Sequence, residues 1–177
     1  GKLYKAPGEV KPRACIAIKG INAELLPAFC SRDVVSAELG IIGEGNGMRR
    51  IVVCSIYFDG MGALPPHPMD DLVRYCQDER LPLIVGCDSN AHHTVWGSTN
   101  TNRRGEELLE YLASTDLEIL NKGSEPTFCT AVRREVLDLT ICSRQIVNEM
   151  KDWKVSNEPS LSDYRPVSYT HLTLPTK

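Results

Sequence analysis

The chain has 177 residues, 42% hydrophobic and 24% charged, a size and balance suited to one globular domain that buries roughly two thirds of its unfolded surface without staples. With 20 basic against 23 acidic residues the formal charge is −3, which excludes a global positive field for nucleic acid. Any polyanion contact is confined to local patches such as the doublets Arg49-Arg50, Arg103-Arg104 and Arg133-Arg134.

No apolar run approaches the roughly 20 residues of a membrane helix, and no signal-peptide pattern opens the chain. An intracellular protein with no membrane partner is expected, or a fragment addressed from elsewhere. The 7 cysteines include no Cys-x-x-Cys pair and several lie in apolar runs, so they are expected to be buried small hydrophobes in a reducing compartment.

In chain order, residues 1–12 are polar with glycine and two prolines and predict a loop, followed by an apolar strand over 14–18. Residues 22–29 are ambiguous. A short strand is expected over 33–39, and the glycine-rich run 43–47 signals a hairpin loop. Residues 49–58 are nearly continuous in β-branched and aromatic side chains, as in a central strand covered on both faces, and Tyr57 lies at its end. Pro65, Pro66 and Pro68 close a loop, and the spacing of Leu72, Val73 and Cys76 predicts an amphipathic helix over 69–79.

That helix leads into the stretch 83–96, where a buried strand stops and delivers Asp88 and Asn90, two residues apart, at its rim. Such a pair suits metal-assisted hydrolysis, a carboxylate to take a proton or ligate a hard cation and an amide to hold a phosphate oxygen. It is also ordinary turn chemistry. A second helix is predicted over 103–114, then strands over 117–120, 126–129, 136–142 and 153–156. Asp138 falls in mid-strand and must either find partners or lie on an exposed edge. The run Ser162-Asp163-Tyr164-Arg165 reads as a turn. No repeat or linker argues for a second domain.

His92 and His93 are adjacent, point apart in extended chain and lack a third metal ligand, which favours structural or substrate-edge roles. Trp96 is expected to pin the loop. Arg104 could touch a phosphate backbone or pair with Glu107 or Glu110 along its helix. Thr127 and Phe128 suit a strand entry.

The ordered blocks Ser55-Ile56-Tyr57, then Gly86-Cys87-Asp88-Ser89-Asn90-Ala91-His92-His93-Thr94-Val95-Trp96-Gly97-Ser98, Arg104-Gly105, Pro126-Thr127-Phe128, Leu137-Asp138-Leu139-Thr140 and Leu161-Ser162-Asp163 resemble the endonuclease/exonuclease/phosphatase family. The resemblance is closest to the apurinic-type endonuclease domain of insect non-LTR retrotransposons. It implies a DNase I-like α/β fold, a four-layered sandwich of two mixed β-sheets flanked by helices, over 1–165, with 166–177 a tail of doubtful origin. It further implies Mg²⁺- (or Mn²⁺-) dependent nicking of DNA to leave a 3′-hydroxyl that primes reverse transcription. The implied partners are DNA and a reverse transcriptase domain in cis, for a monomer that is nuclear in the full-length element.

Carried over by resemblance, Asp88 orients or deprotonates water, Asn90 and Tyr57 hold the scissile phosphate, Asp163 helps with the metal, and Asp138 orients a histidine after Asp163. His92, His93, Arg104 and Thr127 become candidate DNA contacts. Two departures follow. The family's first strand with its asparagine, and the next with the glutamate that is its chief metal ligand, are expected upstream of Gly1. Tyr164 stands at the family's histidine, and a phenol with a pKa near 10 cannot supply the charge of an imidazolium. Loss of a positioned acid/base group costs about 10²- to 10⁴-fold, so weak activity is expected. The alternatives are a catalytically dead remnant that binds DNA, or a phosphatase of small phosphoesters.

Overall fold

The computed structural model describes residues 1–8, 11–42 and 47–171, which form two compact units divided after Cys87. Apart from Gly47, the expected hairpin run 43–47 lies outside the described residues, as does the end of the tail, 172–177.

In the first unit, β1 (Lys2–Tyr4) pairs antiparallel with β2 (Ile16–Ile18), Leu3 opposite Ala17. The opening residues, expected as loop, are therefore partly strand. Three residues are too few to display an alternating pattern, and it is the partner strand that makes them extended. Tyr4 is buried there and donates its hydroxyl to the Ala23 carbonyl at 3.0 Å.

The ambiguous stretch resolves into β3 (Asn22–Leu25) and a single 3₁₀ turn, Pro27–Phe29. β4 (Val34–Ile42) is longer than its apolar core suggested because it pairs along its whole length with β5 (Met48–Tyr57), from Val34 opposite Ile56 to Ile42 opposite Met48. α1 (His67–Asp78) starts two residues before the expected boundary, since Pro68 occupies the first turn, where a missing N–H costs nothing. It buries Met69, Leu72, Val73 and Cys76. β6 (Leu83–Asp88) follows, and β5 lies between β4 and β6 as a central strand should. Burial of Leu83, Ile84, Val85 and Cys87 holds β6, while Asp88, its last residue, opens the second unit.

The α-helix of the second unit is α2 (Arg103–Ala113), whose inner face is Gly105, Leu108 and Leu112. Next come β7 (Leu117–Ile119), the two-residue strands β8 (Phe128–Cys129) and β9 (Arg134–Glu135) of a short hairpin, and β10 (Asp138–Ser143). β10 runs antiparallel to β7 with Ile141 opposite Ile119. Asp138 is therefore not in mid-strand but at the strand's first residue, where it is half-buried and not on a solvated edge. β11 (Met150–Val155) pairs with β12 (Val167–His171), so part of the tail is a strand. Their register slips between Lys151 and Lys154, where Asp152 takes a φ of +56°. No helix among the described residues is long and apolar enough to cross a membrane.

Candidate active site

The polar turn after β6 is built by three anchors. Ser89 donates both its amide and its hydroxyl to the Leu137 carbonyl, at 2.9 and 2.7 Å, which ties the turn to the approach of β10. The Asn90 amide donates to Asp88 Oδ1 at 3.2 Å, and Asn90 adopts a φ of +44°, a left-handed conformation that asparagine tolerates better than most residues. Beyond it, His93 Nδ1 accepts from the Val95 amide at 3.0 Å and caps the 3₁₀ turn Thr94–Trp96. Trp96 is buried beneath that turn as expected, its ring 5.3 Å from the His93 ring.

The second oxygen of Asp88 faces the end of the chain. Tyr164 donates its phenolic hydroxyl to Asp88 Oδ2 at 2.9 Å, and its ring meets Phe128 edge-on at 5.0 Å. A backbone bridge between Phe128 and Tyr164, with the Cys129 amide on the Asp163 carbonyl at 2.8 Å, fixes the Ser162-Asp163-Tyr164 turn against β8. Burial pushes the Asp88 carboxyl above its ordinary pKa, while the Tyr164 hydroxyl and the Asn90 amide work against the rise by favouring the carboxylate.

Asp138 is the other half-buried acid. Its amide and that of Leu137 both donate to Thr127 Oγ1, at 2.9 and 3.1 Å, and Asn121 straddles it, donating to the Asp138 carbonyl and accepting from the Thr140 amide, each at 2.9 Å. Asp138 Oδ2 is buried without a hydrogen-bond partner. Burial above all, opposed by the Thr127 side chain and reinforced by nearby Asp88, pushes this carboxyl up to about 7. Two acids thus share a neighbourhood with unequal support: donors on both oxygens of Asp88, and an orphaned oxygen on Asp138.

The remaining expected residues are placed as follows. Thr127, expected at a DNA edge, is fully buried and organises the entry to β10 instead. His92 Nδ1 lies 2.7 Å from Asn100 Oδ1, its Nε2 lies 3.0 Å from Arg133 Nη2, and Glu135 stands 3.8 Å away. Arg104 donates from Nε to the Asn90 carbonyl at 3.2 Å, and it is Arg103 that pairs with Glu107, at 2.7 Å. Asp163 is exposed. Tyr57 belongs to the first unit, where the Arg13 guanidinium lies 4.3 Å above its ring and is itself held by Asp33 and Asp59. Asn121 escaped sequence reasoning; a polar residue directly after the apolar end of a strand, here Leu120, is the available signal.

Residues 51–168 match the family model described as Endonuclease-reverse transcriptase. The chain belongs to that family. All ten expected site residues fall inside the matched stretch, and by this membership the chain is a hydrolase of the nuclease type.

Over 87 residues the chain is 32% identical to "Probable RNA-directed DNA polymerase from transposon BS" of Drosophila melanogaster; the aligned stretch is 49% of this chain and 9% of that protein's length. In fold it is similar to the endonuclease domain of TRAS1, a telomere-specific non-LTR retrotransposon, with a TM-score of 0.83 and 21% identity over 96% of this chain and 79% of that one. It is also similar to the AP endonuclease LMAP from Leishmania major, with a TM-score of 0.63 and 13% identity over 89% and 63% of the two chains. The fold is thus mixed β-sheets with helices, that of DNase I-like endonuclease domains.

The donor chemistry of Asp88, Asp138 and Asp163 is all-oxygen and of the kind hard cations prefer. Among the described residues, however, no three His, Cys, Asp or Glu side chains converge to hold a metal ion. The residues present are a partial donor set.

Proposed function

We propose that this chain nicks DNA, as the endonuclease domain of a non-LTR retrotransposon whose cut primes reverse transcription by a polymerase domain in cis, in the nucleus. The observation that carries the reading is the Asp88 carboxylate held from both sides, by the Asn90 amide at 3.2 Å and the Tyr164 hydroxyl at 2.9 Å. So oriented, Asp88 takes a proton from water as the water oxygen bonds to phosphorus. The P–O3′ bond breaks and the departing oxygen, once protonated, is the 3′-hydroxyl that a polymerase extends. Asn90 holds the phosphate, where donors gain most as charge develops on the non-bridging oxygens. A Mg²⁺ or Mn²⁺ ion would supply further neutralisation of that charge, with the exposed Asp163 as one ligand.

Tyr164 sets the expected rate. A phenol donates a hydrogen bond to Asp88 but brings no positive charge to the phosphate. Incubated with supercoiled plasmid and Mg²⁺, the chain is expected to form nicked circles slowly, with ends that a polymerase extends. Asp88→Asn should abolish the cut, and Tyr164→His should speed it by a factor on the order of 10². The same contact favours a second reading, a remnant that binds DNA with its acid occupied by Tyr164. Plasmid left intact by both the chain and Tyr164→His would decide for the remnant.

A further inference from the structure

The turn that carries Asn90 does not hold its shape alone. Its left-handed residue, at φ +44°, sits between two clamps, and one of them is the first turn of α2. Asn102, the N-cap of that helix, accepts from the Gly105 amide at 2.9 Å and from the His92 amide at 3.1 Å with the same oxygen, and its own amide donates to the His92 carbonyl at 3.0 Å. Helix and turn approach so closely that a Cβ on Gly105 would fall 1.8 Å from the His92 carbonyl oxygen, a separation no side chain can occupy. From this platform the Arg104 guanidinium reaches back and donates Nε–H to the Asn90 carbonyl at 3.2 Å.

We propose that Arg104 is a positioning residue for Asn90, holding its carbonyl so that the left-handed backbone, and with it the direction of the amide side chain, is fixed before substrate arrives. The proposal rests on the reading that Asn90 handles the scissile phosphate. Physically, a non-glycine residue in the left-handed region persists only where its surroundings over-determine it. The Asp88 carboxylate on the Asn90 amide and Arg104 on the Asn90 carbonyl secure the residue from its two ends. Because Nε–H is a directed donor in a rigid plane, a lysine, whose ammonium is a mobile point charge, should not reproduce the grip.

The test uses the full chain with Arg104→Gln and Arg104→Lys. The three-bond HN–Hα coupling and the amide resonance of Asn90 should move in both variants, while the amides of Ser89 and Leu137 stay in place. In plasmid nicking kcat should fall about 10- to 100-fold with KM unchanged, the mark of a misplaced group and not of lost binding. An unmoved Asn90 coupling in both variants overturns the proposal. So does a fall in DNA affinity for Arg104→Gln that Arg104→Lys restores, with the slope of log affinity against log salt shrinking by about one, because Arg104 would then be a phosphate contact. If the parent chain does not nick DNA, it is the functional reading that fails, and the Asn90 coupling alone decides the role of Arg104.

Discussion

At the scale of single residues, Asp88 and Asp138 show how environment separates two like groups. Asp88 keeps donors on both oxygens, whereas Asp138 Oδ2 is buried without one and its carboxyl rises to about 7. The sign of the consequence follows from proton counting. Between its ordinary pKa near 4 and about 7, folded Asp138 holds a proton that the unfolded chain has released, so the folded state loses stability as pH rises through that window. Asp88, raised in the same direction, adds to the slope. Asp138→Asn should flatten the pH dependence, recovering up to about 4 kcal/mol at pH 8 relative to pH 4. Urea unfolding at several pH values checks this, and a variant as steep as the parent refutes it. The resemblance marked Asp138 as a residue that orients a histidine. That Tyr164 stands in the histidine's place was legible in the sequence; that this tyrosine turns to Asp88 and leaves Asp138 Oδ2 without a partner required the coordinates.

At the scale of elements, the helices and long strands were legible because each buries a face whose spacing repeats. Met69, Leu72, Val73 and Cys76 recur at helical intervals in α1, and β5 reads as apolar almost throughout. What escaped was short: β1 with three residues and β9 with two, lengths at which no period exists and pairing alone makes the strand. The first turn of α2 gives the sharpest prediction here. Alanine is ordinarily better than glycine inside a helix by about 1 kcal/mol. At position 105 the clash with the His92 carbonyl reverses the sign, and Gly105→Ala should lose more than about 3 kcal/mol or fail to fold, as judged by chemical denaturation. Equal or higher stability would refute the close packing.

At the scale of the whole molecule, all seven cysteines are free, but they are not uniformly the buried hydrophobes expected. Cys54, Cys76, Cys87 and Cys142 are buried, Cys30 and Cys129 half-buried, and Cys15 is exposed because it stands just ahead of β2 with its side chain outward. Burial also raises the thiols of Cys54 and Cys142 to about 12, which withholds the reactive thiolate. A thiol reagent should therefore modify Cys15 first and reach the four buried residues only on denaturation. Rapid reaction of all seven in the native protein would contradict this packing.

The sequence by itself determined the long elements, because burial patterns are periodic, and the family with its class of fold through the resemblance carried by the blocks around Asp88, Asn90 and Asp138. It also exposed Tyr164 in the place of a histidine. Only the tertiary structure decided which atoms meet: the Tyr164 hydroxyl on Asp88, the orphaned oxygen of Asp138, Thr127 buried beneath it and Arg104 on the Asn90 carbonyl. Hydrogen bonds between residues as far apart as Asp88 and Tyr164 depend on angles and tenths of an ångström that no local pattern encodes. For that reason the stretch from Leu83 to Trp96 could be recognised from its residues, but its working geometry could not.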